Sequence, residues 1–178
     1  MARVHLYSGA AAALAIAFMM PIVAHAQQGV RVNLPGYPDP VLLDSMRTET
    51  EVTGTPERVY AGALKAYFDL GVPTGTTDNK FGIIGSEKFE RMHQLAGAPM
   101  SRSFSCGESA NGPNADSFRL TIVVVVWVKP GKSDGSLLAT AVAASGTDVG
   151  GSYRIQRPCA STGRIEQKIL EAVQAYIK

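Results

Sequence analysis

One stretch constrains the fold more than any other: residues 119–130 read RLTIVVVVWVKP. The even positions Phe118, Leu120, Ile122, Val124, Val126 and Val128 are all apolar, whereas the odd positions begin polar at Arg119 and Thr121 and turn apolar at Val123, Val125 and Trp127. β-Branched side chains suit a pleated strand better than a helix, where they crowd the preceding turn. Leu120 to Val128 is about nine residues, under half of the ~20 that a membrane-crossing helix needs. Arg119 and Lys129 bracket it. The run therefore reads as a central strand, buried fully on one face and partly on the other.

KPGKSDG then has the composition of a hairpin loop, and SLLATAVAA (136–144) returns as the neighbouring strand. Gly131-Lys132-Ser133 imitates the end of a phosphate-binding loop. That motif needs a glycine where Val126 stands and a helix behind it, and neither is present. Lys129 and Lys132 read instead as charges guarding an aggregation-prone strand. On the return strand Ala139, Ala141 and Ala143 share a face and leave room above them, for a packed helix or, together with Trp127, for a ligand groove.

Around this hairpin the chain alternates strand and helix signals. RTETEVT (47–53) suggests a short strand. Thr55 and Pro56 then suit the cap and first position of a helix bearing Val59, Tyr60, Ala63, Leu64, Tyr67 and Leu70 on one face, stopped by Gly71 and Pro73. TGTTDN reads as a turn, and KFGIIG (80–85) as a strand. Ser86 could start a short helix carrying Phe89, Met92 and Leu95 and ending near Gly97, although FERMHQL also fits a strand. Residues 99–105 read as a strand leading to Cys106, and GESANGPNAD as a loop. SYRIQR forms a last strand before Pro158. The closing helix runs from about Ser161 to Ile177, with Ile165, Ile169, Leu170, Val173, Tyr176 and Ile177 as its stripe. Strands and helices segregated in this way predict an α+β fold: a mainly antiparallel sheet with a long C-terminal helix packed on one face.

Arg3 and His5 precede an uncharged stretch from Leu6 to Ala24, and Ala24-His25-Ala26 is a small-x-small cleavage signal, so residues 1–26 read as a secretory signal peptide; the rival reading is an uncleaved anchor, against which Pro21 and the Ala-His-Ala site stand. Residues 27–46, with three prolines and two glycines, read as an extended arm or linker, and 47–178 as a single α+β domain. The expected location is periplasmic or secreted, with no membrane span after cleavage. Both cysteines, Cys106 and Cys159, lie in the exported part, and an even count in an oxidising compartment predicts a disulfide. Closing a loop of about 54 residues stabilises a fold by about 4 kcal/mol in the chain-entropy model.

Arg3 is the one Lys or Arg of the first 26 residues and no acid stands there, so 16 basic side chains face 15 acidic ones in the remainder. They are scattered, which gives no footprint for nucleic acid. Two distant cysteines with His93 supply no tetrahedral metal set, and no cofactor motif is present. Without a G-x-S-x-G elbow or a C-x-x-C pair, His93 has no nucleophile to serve. Glu49 with Glu51, and Glu87 with Glu90, read as solvated pairs rather than acid–base machinery. No catalytic residue is therefore assigned. The one positive signal is RIQRPCASTGR (154–164), where Arg154, Arg157, Ser161 and Thr162, with Arg164 beside them, gather at a predicted helix start suited to an anion. The competing reading is a hydroxyl cap with solvated arginines.

The first helix TPERVYAGALKAYFDLG after a strand, and the closing helix STGRIEQKILEAVQAYI, together resemble the helix-grip architecture, in which an antiparallel sheet holds a long terminal helix. That likeness spans residues 47–178. It implies kinship in shape with envelope lipoproteins that assist outer-membrane protein assembly and with small-molecule carriers. SRSFSCG and CASTGRIE also resemble secreted bacterial proteins of uncharacterised function. The expectation is a non-catalytic envelope protein binding a partner protein or a small apolar ligand between sheet and terminal helix. The alternatives are a structural protein docking through its 27–46 arm and an enzyme of unfamiliar type.

Overall fold

The computed structural model describes residues 29–150 and 154–178. The signal-peptide expectation for residues 1–26 lies outside them. The molecule is built on a two-stranded ribbon. β12 (Arg119–Pro130) and β13 (Ser136–Thr147) pair antiparallel along their whole length, from Arg119↔Thr147 to Pro130↔Ser136. Twelve residues make each strand about 40 Å long. No other strand among the described residues matches that length, so shorter ones share each outer edge.

Beside β12 lie β5 (Ile83–Ser86), opposite Val125 to Trp127, and β6 (Phe89–Arg91), opposite Leu120 to Ile122. Beside β13 lie β3 (Thr48–Val52), opposite Ser136 to Thr140, and β14 (Gln156–Ser161), opposite Ala144 to Thr147. β4 (Thr74–Asp78) extends the sheet beyond β5, and β9 (Phe104–Ser105) beyond β14. Among the described residues, three small pairs of two-residue strands complete the set: β1 (Arg31–Val32) with β2 (Val41–Leu42), β7 (Gln94–Leu95) with β8 (Ala98–Pro99), and β10 (Glu108–Ser109) with β11 (Gly112–Pro113). The fold is thus mixed α+β with a large antiparallel sheet and a C-terminal helix, as the sequence predicts.

Both principal helices cover one face of the sheet. α1 (Pro56–Leu70) buries Val59, Tyr60, Ala63, Ala66 and Tyr67, and α3 (Arg164–Ile177) buries Ile165, Ile169 and Val173. These meet Leu120, Ile122, Val124, Val126 and Val128 of β12 and Leu138 and Val142 of β13 in the main core. Gly71 closes α1 in a left-handed conformation (φ 66°), its N–H bonding back to the Phe68 and Tyr67 carbonyls. Thr55 occupies the cap position without a side-chain bond, and its carbonyl accepts the Val59 N–H at 3.0 Å. α2 (Asn114–Ser117) is a single turn leading into β12.

The opposite face buries Val123, Val125, Trp127, Ala139, Ala141 and Ala143. Its cover is the N-terminal arm, which lays Leu34, Val41 and Leu43 on the alanines and adds Val30, Val32 and Tyr37 at the margin. The Tyr37 hydroxyl donates to the Ala144 carbonyl (3.2 Å), and the Val30 N–H to the Asp44 carboxylate (2.6 Å). The alanine face therefore corrects the groove expectation. Ala139, Ala141, Ala143 and Trp127 point away from the terminal helix and form the seat of the arm.

Four local expectations are also corrected. TGTTDN is strand β4 rather than a turn, because β5 offers it an open edge. Residues 86–97 form β6 and β7 instead of a helix, so the extended alternative for FERMHQL holds. The last strand runs through Pro158 and Cys159 to Ser161, and the helix starts three residues later than its hydroxyl-rich approach suggests. Residues 99–105 are interrupted by a 3-10 turn at Met100–Arg102.

Candidate functional site

A depression of about 520 Å³ forms a cleft at one end of the sheet. One wall is the β10–β11 hairpin with α2, carrying Glu108, Ser109, Asn111 and Asn114. The other is the connection after β13, carrying Asp148, Val149, Ile155 and Arg157. Phe118, buried against the core, lies between them. Val149 and Ile155 are large apolar side chains left 42% and 45% exposed. The cleft thus offers an apolar surface edged by both signs of charge.

Covalent chemistry fixes both walls. Cys106 lies two residues before the start of the β10–β11 hairpin at Glu108, Cys159 lies in β14 opposite Ala144, and the two form a disulfide. Both half-cystines are buried. Asn114 reinforces the first wall: its side-chain amide donates to the Cys106 carbonyl (3.3 Å) and its N–H to the Gly107 carbonyl (3.0 Å). In the second wall the Asp148 N–H donates to the Ile155 carbonyl (2.9 Å), and the Asp148 carboxylate accepts the Gly150 N–H (2.9 Å). Arg157 makes no ion pair among the described residues, so its guanidinium is available to an incoming group.

A second, smaller pocket of about 100 Å³ lies between the sheet and the terminal helix. Thr48 and Thr50 of β3, Leu138 and Thr140 of β13, and Gly163, Glu166, Gln167 and Leu170 at the start of α3 line it. It opens where β3 stops at Thr48↔Thr140 and β14 begins at Cys159↔Ala144. Glu166, 9% exposed, occupies the third position of the helix, where a carboxylate is favoured by the helix dipole. The Ser161 hydroxyl lies 2.8 and 3.0 Å from its two oxygens. Leu138 and Leu170 give this small space apolar surface, and Thr48, Thr50 and Thr140 add hydroxyls.

The four residues predicted to share an anion site are separated. Arg157 lines the cleft. Arg154 is exposed at its approach, next to the undescribed residues 151–153. Ser161 is engaged by Glu166 and accepts the Gly163 N–H (3.1 Å), and Thr162 donates to the Arg102 carbonyl (2.7 Å). The cationic side chains beside the helix start are Arg102, Arg164 and Lys168. Glu166, which the sequence reading passed over, supplies the negative charge at that helix end from within the chain. The signal for it was an acid three residues after Gly163.

The remaining chemistry-bearing residues are dispersed. His93 (φ 63°) is exposed and donates from Nδ1 to the Asp116 carbonyl (2.9 Å). Gly131-Lys132-Ser133 is a hairpin loop closed by Gly131 N–H to Gly135 O (2.9 Å), and Lys132 N–H points to the Glu51 carboxylate (3.4 Å). Glu49 pairs with Arg47 (2.6 Å) and Glu90 with Arg119 (3.8 Å). Among the described residues no three His, Cys, Asp or Glu side chains group as a metal set, and no helix is long and apolar enough to cross a membrane. Burial raises the Tyr37, Tyr60 and Tyr67 phenols above their usual range, Tyr67 furthest. Fold and site together define a disulfide-braced α+β protein with an open cleft beside its disulfide. No family model matches the chain, and no curated protein matches it in sequence.

Proposed function

We propose that this is an exported, non-catalytic binding protein that holds a partner protein in the disulfide-braced cleft. The observation that carries the reading is the cleft's composition. Val149 and Ile155 stand exposed in the cleft that Phe118 also lines, with Arg157, which makes no ion pair among the described residues, at the rim and both walls joined through Cys106–Cys159. Arginine is enriched among interface anchors, and a contiguous apolar surface beside it supplies area to bury. A pre-braced cleft lowers the ordering cost of association. The covalent brace is in keeping with an oxidising, periplasmic or extracellular location. The resemblance to helix-grip envelope proteins points the same way.

The test is site-specific photo-crosslinking in intact cells. A photoreactive side chain at Val149 is expected to give a discrete protein adduct that Arg157→Ala weakens, whereas the same group at Lys168 on α3 gives none. No adduct at Val149, or equal adducts at both positions, overturns the reading. Val149→Asp lies on an exposed loop and is expected to change stability by less than about 0.5 kcal/mol, so loss of the adduct in that variant reports binding.

A further inference from the structure

We infer that Asn111, at the tip of the β10–β11 hairpin, is a site of spontaneous deamidation, in which the nitrogen of the following glycine closes on the side-chain amide and an acid replaces it. The chain has four asparagines, and their successors differ: Leu34 after Asn33, Lys80 after Asn79, Gly112 after Asn111 and Ala115 after Asn114. A backbone nitrogen reaches the preceding side chain most easily when its own residue carries no Cβ to block the approach, which only glycine provides. Gly112 has a positive φ of 106°, and the position a Cβ would occupy has no atom within 4 Å, so the rest of the fold leaves this residue open as well. Asn111 is exposed, and its side-chain amide makes no hydrogen bond among the described residues. Asn114, by contrast, is 5% exposed and commits its amide to the Cys106 carbonyl (3.3 Å).

In the closed hairpin Gly112 is paired with Ser109. Each strand has only two residues, and so short a hairpin has little stability of its own, so its tip opens without the sheet unfolding. In the opened tip the Gly112 nitrogen gives its proton to hydroxide and attacks the Asn111 side-chain carbonyl carbon. A bond from nitrogen to Cγ forms, the Cγ–Nδ2 bond breaks, and Nδ2 leaves as ammonia after taking a proton from water. Water then opens the cyclic imide at either carbonyl, giving aspartate or the isomer whose backbone runs through the side chain. The sum consumes one water and releases one ammonia, with nothing oxidised or reduced. The product alters the cleft, whose lining then carries three carboxylates, those of Glu108, Asp148 and residue 111, against Arg157. The new charge competes for the Arg157 guanidinium. This consequence rests on the cleft being the partner site, and the modification itself does not.

The experiment incubates the purified disulfide-bonded protein at mildly alkaline pH and follows every asparagine by peptide mass mapping, with fragmentation that separates aspartate from its isomer. Asn111 is expected to turn to acid at least about tenfold faster than Asn33, Asn79 or Asn114, the ratio that a barrier lower by about 1.4 kcal/mol gives. The rate should rise with hydroxide concentration. Asn111→Gln, whose longer side chain closes a larger ring, should show no acid at residue 111 over the same period. Equal rates at the four asparagines, or no acid at residue 111, overturns the proposal. Asn111→Asp supplies the product directly on an exposed hairpin tip, and the photo-crosslink from Val149 should fall in that variant. An unchanged adduct overturns the effect on the cleft. Absence of the adduct in the unmodified protein overturns the cleft reading alone, and the mass map still decides the modification.

Discussion

Tyr67 carries its hydroxyl from α1 into the sheet, where it lies 3.1 Å from the Ile84 carbonyl and 3.0 Å from the Val124 carbonyl. It is fully buried, and that burial pushes its phenol far above the usual range, because the phenolate would stand in the core without water. Tyr67→Phe should cost about 1–2 kcal/mol, since it leaves two buried carbonyls with one partner fewer, measurable as a lower urea midpoint at neutral pH. The pH dependence has a definite sign. A tyrosine whose folded pKa lies above its unfolded value of 10.0 contributes stability fully below pH 10 and loses it as pH rises further. The wild-type protein should therefore weaken above about pH 10 more steeply than Tyr67→Phe. Parallel slopes would mean that this phenol does not govern the alkaline limit.

At the scale of elements, α1 and α3 approach closely because Gly62 presents no side chain to Tyr176. A Cβ there would sit 3.1 Å from the Tyr176 ring, which is 45% exposed near the end of α3 and free to shift. Replacing a mid-helix glycine by alanine gains up to about 1 kcal/mol in helix propensity. Gly62→Ala should therefore be neutral to stabilising in thermal melts, whereas Gly62→Val should destabilise. The long periodic elements were legible in sequence for a physical reason: the α1 and α3 stripes and the β12 alternation each repeat over several periods, and burial on one face follows directly. Short segments carry no such redundancy. Phe89, Met92 and Leu95 stand at helical spacing, yet Phe89 to Arg91 extend because β12 offers Leu120 to Ile122 as unpaired edge. TGTTD likewise becomes strand through its partner β5. The site followed the same rule. The cysteine pair is legible from the even count, and Arg157 from its charge. The cleft around it depends on Val149 and Ile155 meeting Phe118 across the fold, which no local pattern records. Ser161 and Thr162 separated from Arg157 because the strand continues past Pro158, so the helix begins beyond them.

Taken whole, the molecule is three layers deep: a helix pair, a sheet organised by one long ribbon, and an arm. The disulfide spans a sequence separation of 53 and joins the approach to β12 to the strand that precedes α3. No cysteine is free among the described residues, so the unfolded, unreduced protein should show no reactive thiol before reduction. Removing the bond, by reduction or by Cys106→Ser with Cys159→Ser, should lower unfolding free energy by about 2–4 kcal/mol. The denaturation midpoint reports this, and an unchanged midpoint would show that hydrophobic burial alone fixes β14 and the hairpin.

The arm also sets an order in time. It is the first of the described segments to be synthesised, but its seat of Trp127 and the alanines is made by residues that follow about a hundred positions later. Until both ribbon strands have emerged and paired, the arm has nowhere to lie and the ribbon's second face stays open. The arm's docking is therefore a long-range closure that depends on the ribbon being formed, and until it occurs the strand-prone second face is bare.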